Sequence, residues 1–469
     1  MSEYKLLING ELVDGTGESI DVINPATEAP VTALSVASES QLQHAVAAAK
    51  AAFPKWAAMP HSQRKELLDA TVQRINQNAE DIAKLIVAEQ GKTLEFAKVE
   101  VMLSEMFAGY FAGQQLGEEL VADDDAQHAV SIRKPLGVVA CIMPWNFPFV
   151  QALYKMAPAL AAGNTVVLKP SPYTPLSTLK LGELVADLFP PGVVNIIADN
   201  NDLGAALTSH PDVAMVSFTG STPTGKAIMA SAAGSMKRVT LECGGNDAGI
   251  VLDDADPKAI ADGVFGGAFM NSGQVCVALK RLYVHESLYD DLCAELAERA
   301  ANAVVGDGMD PETQFGPVQN KAQFDKVVSY IEDAQANGTI IAGGEVPDRT
   351  GYFLPLTVVR DIEDGTRVVD EEPFGPILPV LKYSDLDDAI SRANASPFGL
   401  GGSVWSSNAE RAREVAARLE CGTAWINQHP AFAPNVPFPA SKESGIGVEW
   451  GPDALHEYTS MQVINAVKS

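Results

Sequence analysis

Between residues 137 and 242 the chain alternates between short, almost wholly apolar runs and helix-like stretches. Residues 138–143, 165–169, 193–197, 214–218 and 239–242 read as strands, and the stretches starting at Phe149, at Pro175, near Leu203 and after Pro223 read as helices. Strands apolar on both faces must be covered on both faces, and a parallel strand reaches its neighbour only through a crossover. The pattern therefore predicts a doubly wound parallel α/β sheet. A second set follows Ala248: a helix over 257–271, a strand over 281–285, a helix over 288–304 and further units through Ile426. No internal repeat or low-complexity linker separates the two sets. Loops rich in Gly, Asp, Met or Pro are expected over 302–313 and 434–444.

Ahead of this region, residues 6–23 read as short strands around Asn9-Gly10 and Gly15-Thr16-Gly17, closed by a turn at Asn24-Pro25. The Gly15-x-Gly17 pair lacks the strand-to-helix setting of a nucleotide loop. From Ser38 to Gly117 the pattern is helical. Gln41, Ala45, Ala48, Ala49 and Ala52 recur at helical spacing, Leu67, Leu68, Val72 and Ile75 follow, and Ile82, Leu85 and Ile86 lead to a C-cap at Gly91. Residues 94–115 form a long helix with an apolar stripe of Met102, Met106, Phe107 and Phe111, for which core packing is the expected role. Over 121–134, Asp123-Asp124-Asp125 makes a tight turn between two strands, and Pro135 stops the second. A hairpin so acidic at its tip is not expected to be buried in its own domain.

A chain of 469 residues has room for two to three domains. Its formal charge of −27 argues against nucleic acid or an anionic membrane surface as a partner. The opening residues 1–10 lack the basic-then-apolar pattern of a signal peptide, and no apolar run approaches the ~18 residues of a membrane span. Five cysteines without a C-x-x-C pair point to a reducing, cytoplasmic setting, and no metal site is expected.

Most of these cysteines, Cys141, Cys293 and Cys421 among them, read as small buried fillers. Cys276 differs because it follows a Gly-Gln turn directly after the apolar, Gly-rich run 261–270, which places a thiol at the tip of a buried segment. A thiol with an ordinary pKa near ~8.5 becomes a useful nucleophile when its thiolate is stabilised. Glu242 ends an apolar strand just before a Gly pair, and Asn146 sits in a Pro-flanked turn after the strand 138–143. A thiol, a carboxylate and an amide, each on a turn at a strand end, form a set suited to thioester chemistry.

At these residues the chain resembles the aldehyde dehydrogenase superfamily. PWNFP (144–148), LKPSP (168–172), FTGS (218–221), LECGG (241–245), GQVC (273–276) and EEPFGP (371–376) occur in that family's order and spacing, within about residues 130 to 450. The resemblance implies a Rossmann-like NAD(P)-binding domain over 1–116 and 136–243 and a second α/β catalytic domain over 244–452. It also implies a β-arm over 117–135 and 453–469 that joins subunits into a homodimer or homotetramer. It implies that Cys276 attacks a small aldehyde, Asn146 holds the oxyanion and Glu242 activates water, with Lys155 and Glu449 assisting proton relay. A surface salt bridge explains the last two equally well.

For the cofactor, Gly220, Ser221 and Gly225 lie between a strand and a helix, where a backbone can approach a phosphate, though an ordinary tight turn fits nearly as well. The resemblance assigns Gly220, Ser221 and Gly225 to the pyrophosphate end, Lys169 to the adenosine ribose, Glu372 to the nicotinamide ribose and Phe374 to the nicotinamide face. Met143, Pro144, Trp145, Ser171 and Pro172 complete the expected cofactor set. Many NAD-preferring relatives carry Glu where this chain has Pro172, so NAD is expected with NADP also accepted. Pro439-Ala440 stands where relatives usually have two glycines. The substrate tunnel is expected to comprise Met102, Phe107, Tyr154, Val275, Val277, Phe432 and Trp450, suited to an uncharged aldehyde. Two alternatives are a CoA-acylating relative, which usually lacks a base at the Glu242 position, and a catalytically inactive structural member, which would have lost Cys276, Glu242 or Asn146.

Overall fold

A computed structural model of the chain describes residues 4–468. Residues 1–3 and 469, which belong to the opening read for a leader and to the tail of the expected arm, lie outside the described residues.

The predicted alternation forms an eight-stranded sheet in the order Glu11–Val13, Leu6–Ile8, Val194–Ile196, Thr165–Lys169, Val138–Ile142, Val213–Thr219, Arg238–Glu242, Gly445–Ile446. The strands Thr165–Lys169 and Val138–Ile142 are buried at every residue, as a sheet covered on both faces requires. Their parallel register pairs Ile142 with Lys169 and Phe218, and Thr219 with Glu242. The residues that follow or end these strands therefore emerge along one edge of the sheet, where ligands of open α/β sheets bind.

A seven-stranded sheet follows, ordered Thr339–Ala342, Thr357–Arg360, Ile377–Tyr383, Leu279–His285, Asp247–Val251, Gly401–Trp405, Thr423–Ile426. Each sheet packs on its own helices, giving one core around the first and two clusters around the second. The stretch expected to close the second unit returns to the first. Gly445–Ile446 pairs with Arg238–Glu242, and Phe438, Trp450, Ala454 and Leu455 belong to the first core.

The N-terminal helices sit on the first sheet. Ser38 opens the helix Glu39–Ala57 with a capping box to Gln41, so Gln41 caps this helix, and Leu42, Ala45, Val46 and Ala49 form the inward stripe. In the helix Leu94–Gly113 the inward face is Ala97, Glu100, Val101, Ser104, Phe107, Ala108, Phe111 and Ala112. The expected stripe is half right. Phe107 and Phe111 are buried, but Met102 and Met106 are 57% and 38% exposed.

The acidic hairpin is present as Glu119–Asp123 and Gln127–Pro135, and Thr459–Val467 pairs along the whole second strand, from Thr459 opposite Pro135 to Val467 opposite Gln127. Asn164 ties this ribbon to the first sheet. Its Oδ1 accepts from the N–H groups of Leu136 (2.7 Å) and Gly137 (3.0 Å), and its Nδ2 donates to the carbonyls of Ala159 (3.2 Å) and Tyr458 (2.9 Å). The side chain is fully buried, so no water replaces those bonds when it is removed. Asn164→Ala should lower the unfolding free energy by about 3–4 kcal/mol in chemical denaturation.

Candidate active site

The site lies where the chain passes from one sheet into the other. Glu242 ends a strand of the first sheet, and after Cys243-Gly244-Gly245-Asn246 the chain starts a strand of the second at Asp247. Asp247 pairs in parallel with Leu279, so residues 242–246 and 275–278 enter the second sheet side by side. That register brings Cys276 next to Glu242, from positions far apart in sequence. The approach is close enough to require glycine: a Cβ on Gly245 would lie 2.6 Å from the Cys276 carbonyl oxygen, and one on Gly244 2.2 Å from Glu372 Oε2.

Cys276 follows a tight 3₁₀ turn, Met270–Gly273, in which Asn271 and Ser272 hold φ of 51° and 55°. The sequence suggested an exposed tip, and Cys276 is partly exposed between buried Val275 and Val277. Burial pushes its pKa up to about 12, the Lys280 ammonium pulls the other way, and Glu242, Glu372 and Asp247 reinforce the rise. The thiolate is therefore not pre-formed. Asn146 shares this loop: its Nδ2 donates to the Gln274 carbonyl at 2.9 Å, while its Oδ1 is buried with no partner.

Glu242 is 5% exposed, and its Oε1 has no partner. Burial raises its pKa well above the ordinary carboxylate value, Glu449 adds to the rise and Lys155 opposes it. Lys155 and Glu449 are not a surface pair. Their side chains are 0% and 4% exposed, 2.5 Å apart, and Lys155 Nζ also reaches Ser217 Oγ at 3.3 Å. The helix carrying Lys155, Pro148–Ala161, is buried along its whole length, so only a partner makes a charge tolerable there.

Two cavities meet at the thiol. The apolar one, about 60 Å³, is lined by Phe107, Tyr154, Val275, Val277, Phe432 and Trp450, and also by Leu103, Phe147, Val150 and Phe438. Trp450 stacks on Phe438 at 4.5 Å and meets Phe107 at 5.1 Å and Phe432 at 5.7 Å. Met102 is not part of this wall. It is one residue from Leu103, but the helix turns it outward to solvent.

The second cavity, about 170 Å³, gathers Pro144, Trp145, Asn146, Gly220, Ser221, Glu372 and Phe374. Trp145 and Phe374 meet edge to face at 5.2 Å. Glu372 is held by the Gly245 N–H at 3.1 Å and Lys280 Nζ at 3.3 Å. Ser221 begins the helix Thr222–Ala233, but its hydroxyl bonds Thr224 Oγ1, so the start of that helix has no side-chain cap. Uncapped amides there suit a phosphate.

The remaining expected cofactor residues lie outside this cavity. Gly225 packs inside the helix, where a Cβ would lie 2.5 Å from Cys243 Sγ, so Cys243 fills space there. Met143 is buried, and its N–H donates to the Lys169 carbonyl. Ser171 and Pro172 follow Lys169 along the strand edge.

Lys169 is neither a snorkelling surface residue nor a free ammonium. Its Nζ lies 2.6 Å from Asp199 Oδ1, both buried, and Asp199 Oδ2 accepts from the Leu203 N–H. Sequence reasoning missed Asp199, along with Gln151, Gln323 and Lys326 at the cavity walls. It also missed Lys92 and Glu100. Glu100 left a signal, since an acid lay on a helix face otherwise made of Ala, Val, Ser and Phe.

A larger cleft of about 720 Å³ opens beyond the Asn271–Ser272 turn, between Thr93, Gly266 and His429, and reaches neither Cys276 nor Glu242. Among the described residues no cluster suits a metal ion, and no helix is long and apolar enough to cross a membrane.

The sequence model of the aldehyde dehydrogenase family matches residues 12–464. An aldehyde dehydrogenase from a Fusarium species, LUC3, is 38% identical over 457 residues, covering 97% of each chain. An aldehyde dehydrogenase from Bacillus cereus, solved as a point mutant, superposes with a TM-score of 0.96 at 38% identity, covering 99% of this chain and 96% of that one. A betaine aldehyde dehydrogenase from Staphylococcus aureus, solved with NAD+, gives 0.95 at 34% identity, covering 99% and 95%. With the family matched over nearly its whole length, the chain belongs to the aldehyde dehydrogenase family and, as an enzyme of that family, oxidises an aldehyde with NAD(P)+ as hydride acceptor.

Proposed function

We propose that this oxidation runs through a thioester on Cys276, with Asn146 as oxyanion holder and Glu242 as the base that releases the acid. One observation carries the reading: Cys276, with Thr219 and Gln151, borders both the aromatic cavity and the cavity of Gly220 and Glu372. A single sulfur thus faces a place for an aldehyde and a place for a nicotinamide.

The Cys276 sulfur bonds to the carbonyl carbon while its proton passes to the Glu242 carboxylate, which lines the same cavity, and the carbonyl electron pair moves to oxygen. The Asn146 amide and the Cys276 backbone N–H hold that oxyanion, an effect worth about 3–4 kcal/mol per donor in acyl-transfer enzymes. A bound nicotinamide would supply the acceptor for this carbon's hydride, the oxyanion pair re-forming the carbonyl to leave a thioester on Cys276. The residues fit such a cofactor: the uncapped helix start at Gly220-Ser221 suits its pyrophosphate, and Glu372 with the Trp145–Phe374 rings suits the nicotinamide end. Glu242 then removes a proton from water, the resulting hydroxide adds to the thioester carbon, and the sulfur leaves with its electron pair. Lys155 and Glu449 hold charge beside Glu242 and give its proton a route onward.

A base buried beside the sulfur supports water over CoA as the resolving nucleophile, and the intact Cys276, Glu242 and Asn146 speak against an inactive structural role. The apolar wall includes no Lys or Arg and carries only the acids Glu242 and Glu449. This supports a small uncharged aliphatic or aromatic aldehyde as substrate. Five free cysteines support a reducing, cytoplasmic setting. Exposed Leu120, Val121, Met461, Val463 and Ile464 on the three-stranded ribbon support an arm that pairs with a second copy, in a homodimer or homotetramer.

The deciding experiment is rapid mixing with NAD+ and a short aldehyde. Cys276→Ala should abolish NADH formation with NAD+ binding kept within about threefold. Glu242→Gln should give one NADH burst followed by turnover slowed at least about a hundredfold. Full steady-state turnover in either variant would reject the assigned roles.

The pH profile follows from the same burial. Both groups work deprotonated and both have raised pKa values, so each gains its active form as pH rises. Turnover should therefore climb from pH 6 through pH 9, by about tenfold or more, in buffered steady-state assays. A maximum below neutrality would contradict this.

For assembly, removing residues 459–469 should lower the mass measured by light scattering at micromolar concentration. A full-length monomer under the same conditions would rule out the arm.

A further inference from the structure

We propose that the buried Lys92–Glu100 pair is a positioning device for Asn146, setting where its amide stands at the sulfur. The proposal rests on Asn146 acting as the oxyanion holder.

Lys92 follows the left-handed C-cap at Gly91, and Glu100 lies on the inward face of the next helix. Their side chains are 1% and 0% exposed, with Lys92 Nζ 2.5 Å from Glu100 Oε2. Both then reach across to the Asn146 turn. Lys92 Nζ donates to the Asn146 carbonyl at 2.9 Å and lies 3.9 Å from the centre of the Phe147 ring. Glu100 Oε1 accepts from the N–H groups of Phe149 at 2.9 Å and Val150 at 3.2 Å. The pair therefore grips the backbone at Asn146 and again at the first turn of the following helix. On the opposite side, Asn271 Nδ2 donates to the Asn146 carbonyl at 3.2 Å, and Asn146 Nδ2 donates to Gln274 at 2.9 Å.

Asn146 is thus clamped between the nucleophile loop and this ion pair. An ion pair this deeply buried rarely stabilises a fold more than well-packed apolar residues would. Its directional bonds instead fix one backbone conformation, and an oxyanion donor displaced by about 1 Å loses much of its effect. Neither Lys92 nor Glu100 borders the two cavities at Cys276, so any action on the chemistry passes through the turn.

The test is a double-mutant cycle on the full-length enzyme, measuring kcat and KM for NAD+ and a short aldehyde together with thermal unfolding. Lys92→Met and Glu100→Gln should each lower kcat about tenfold to a hundredfold, with KM for NAD+ within about threefold. In an Asn146→Ala background neither should lower kcat further, because the group they position is gone. Glu100→Gln keeps the side-chain size and one accepting oxygen, so it completes the cycle if Lys92→Met does not fold. Undiminished kcat in the folded single variants, or losses that multiply with Asn146→Ala, would overturn the proposal. Full activity of Asn146→Ala by itself would instead show that the oxyanion assignment is at fault, and the positioning role would fall with it.

Discussion

Four residues decide where everything else must go. Between Glu242 and Asp247 the chain leaves one parallel sheet and enters another, with Gly244 admitting the Glu372 carboxylate and Gly245 the Cys276 backbone to contact distance. The two sheets thereby meet with the ligand-binding edge of one against the entry edge of the other. Strand pairing then fixes chemistry: the register of Asp247 on Leu279 sets Cys276 beside Glu242, and the parallel strands of the first sheet deliver the Asn146 turn to the same edge. The main-chain hydrogen bonds of two sheets thus bring these groups together.

Burial at this junction has an electrostatic consequence. Charges removed from water must find partners, and the cations Lys155, Lys169 and Lys92 each face a carboxylate at 2.5 or 2.6 Å. The two groups assigned to the chemistry lack such a partner. Glu242 keeps an oxygen without a hydrogen bond, and Cys276 has Lys280 opposed by three acids. Both are held in their protonated forms by surroundings that favour neutrality, and a group held this way becomes a strong base or nucleophile once its proton is removed.

Much of this was legible in the sequence, for reasons that differ by residue. The parallel strands were readable because a strand covered on both faces can tolerate few polar residues, as Val138–Ile142 shows. Cys276, Glu242 and Asn146 were readable because each sits at a turn marked by Gly or Pro beside an apolar strand. The side-chain face of the helix Leu94–Gly113 was misread at Met102 and Met106, since methionine gives no sign of which way it points. Lys155 was left open as a surface charge because its partner, Glu449, lies 294 positions away in the sequence. Lys92 and Asp199 were missed because each sits in a turn or loop where a charge is ordinary, although their partners lie only 8 and 30 positions away. Of these residues Glu100 alone stood out, as an acid on an apolar helix face. The return of the chain to the first core after Phe438 was not legible, because composition does not record a reversal of direction.

That reversal links parts of the protein usually thought of separately. Within some thirty residues the returning chain supplies Phe438 and Trp450 to the aldehyde-side wall, Glu449 to the charge network at the base, and the outer strand of the ribbon from Thr459 onward. A recombination or graft that exchanged this C-terminal stretch between relatives would transfer the aromatic cavity wall, the buried acid that pairs Lys155 and the edge strand of the ribbon as one inherited block. Evolution of any of the three in this chain is therefore tethered to the other two by covalent continuity.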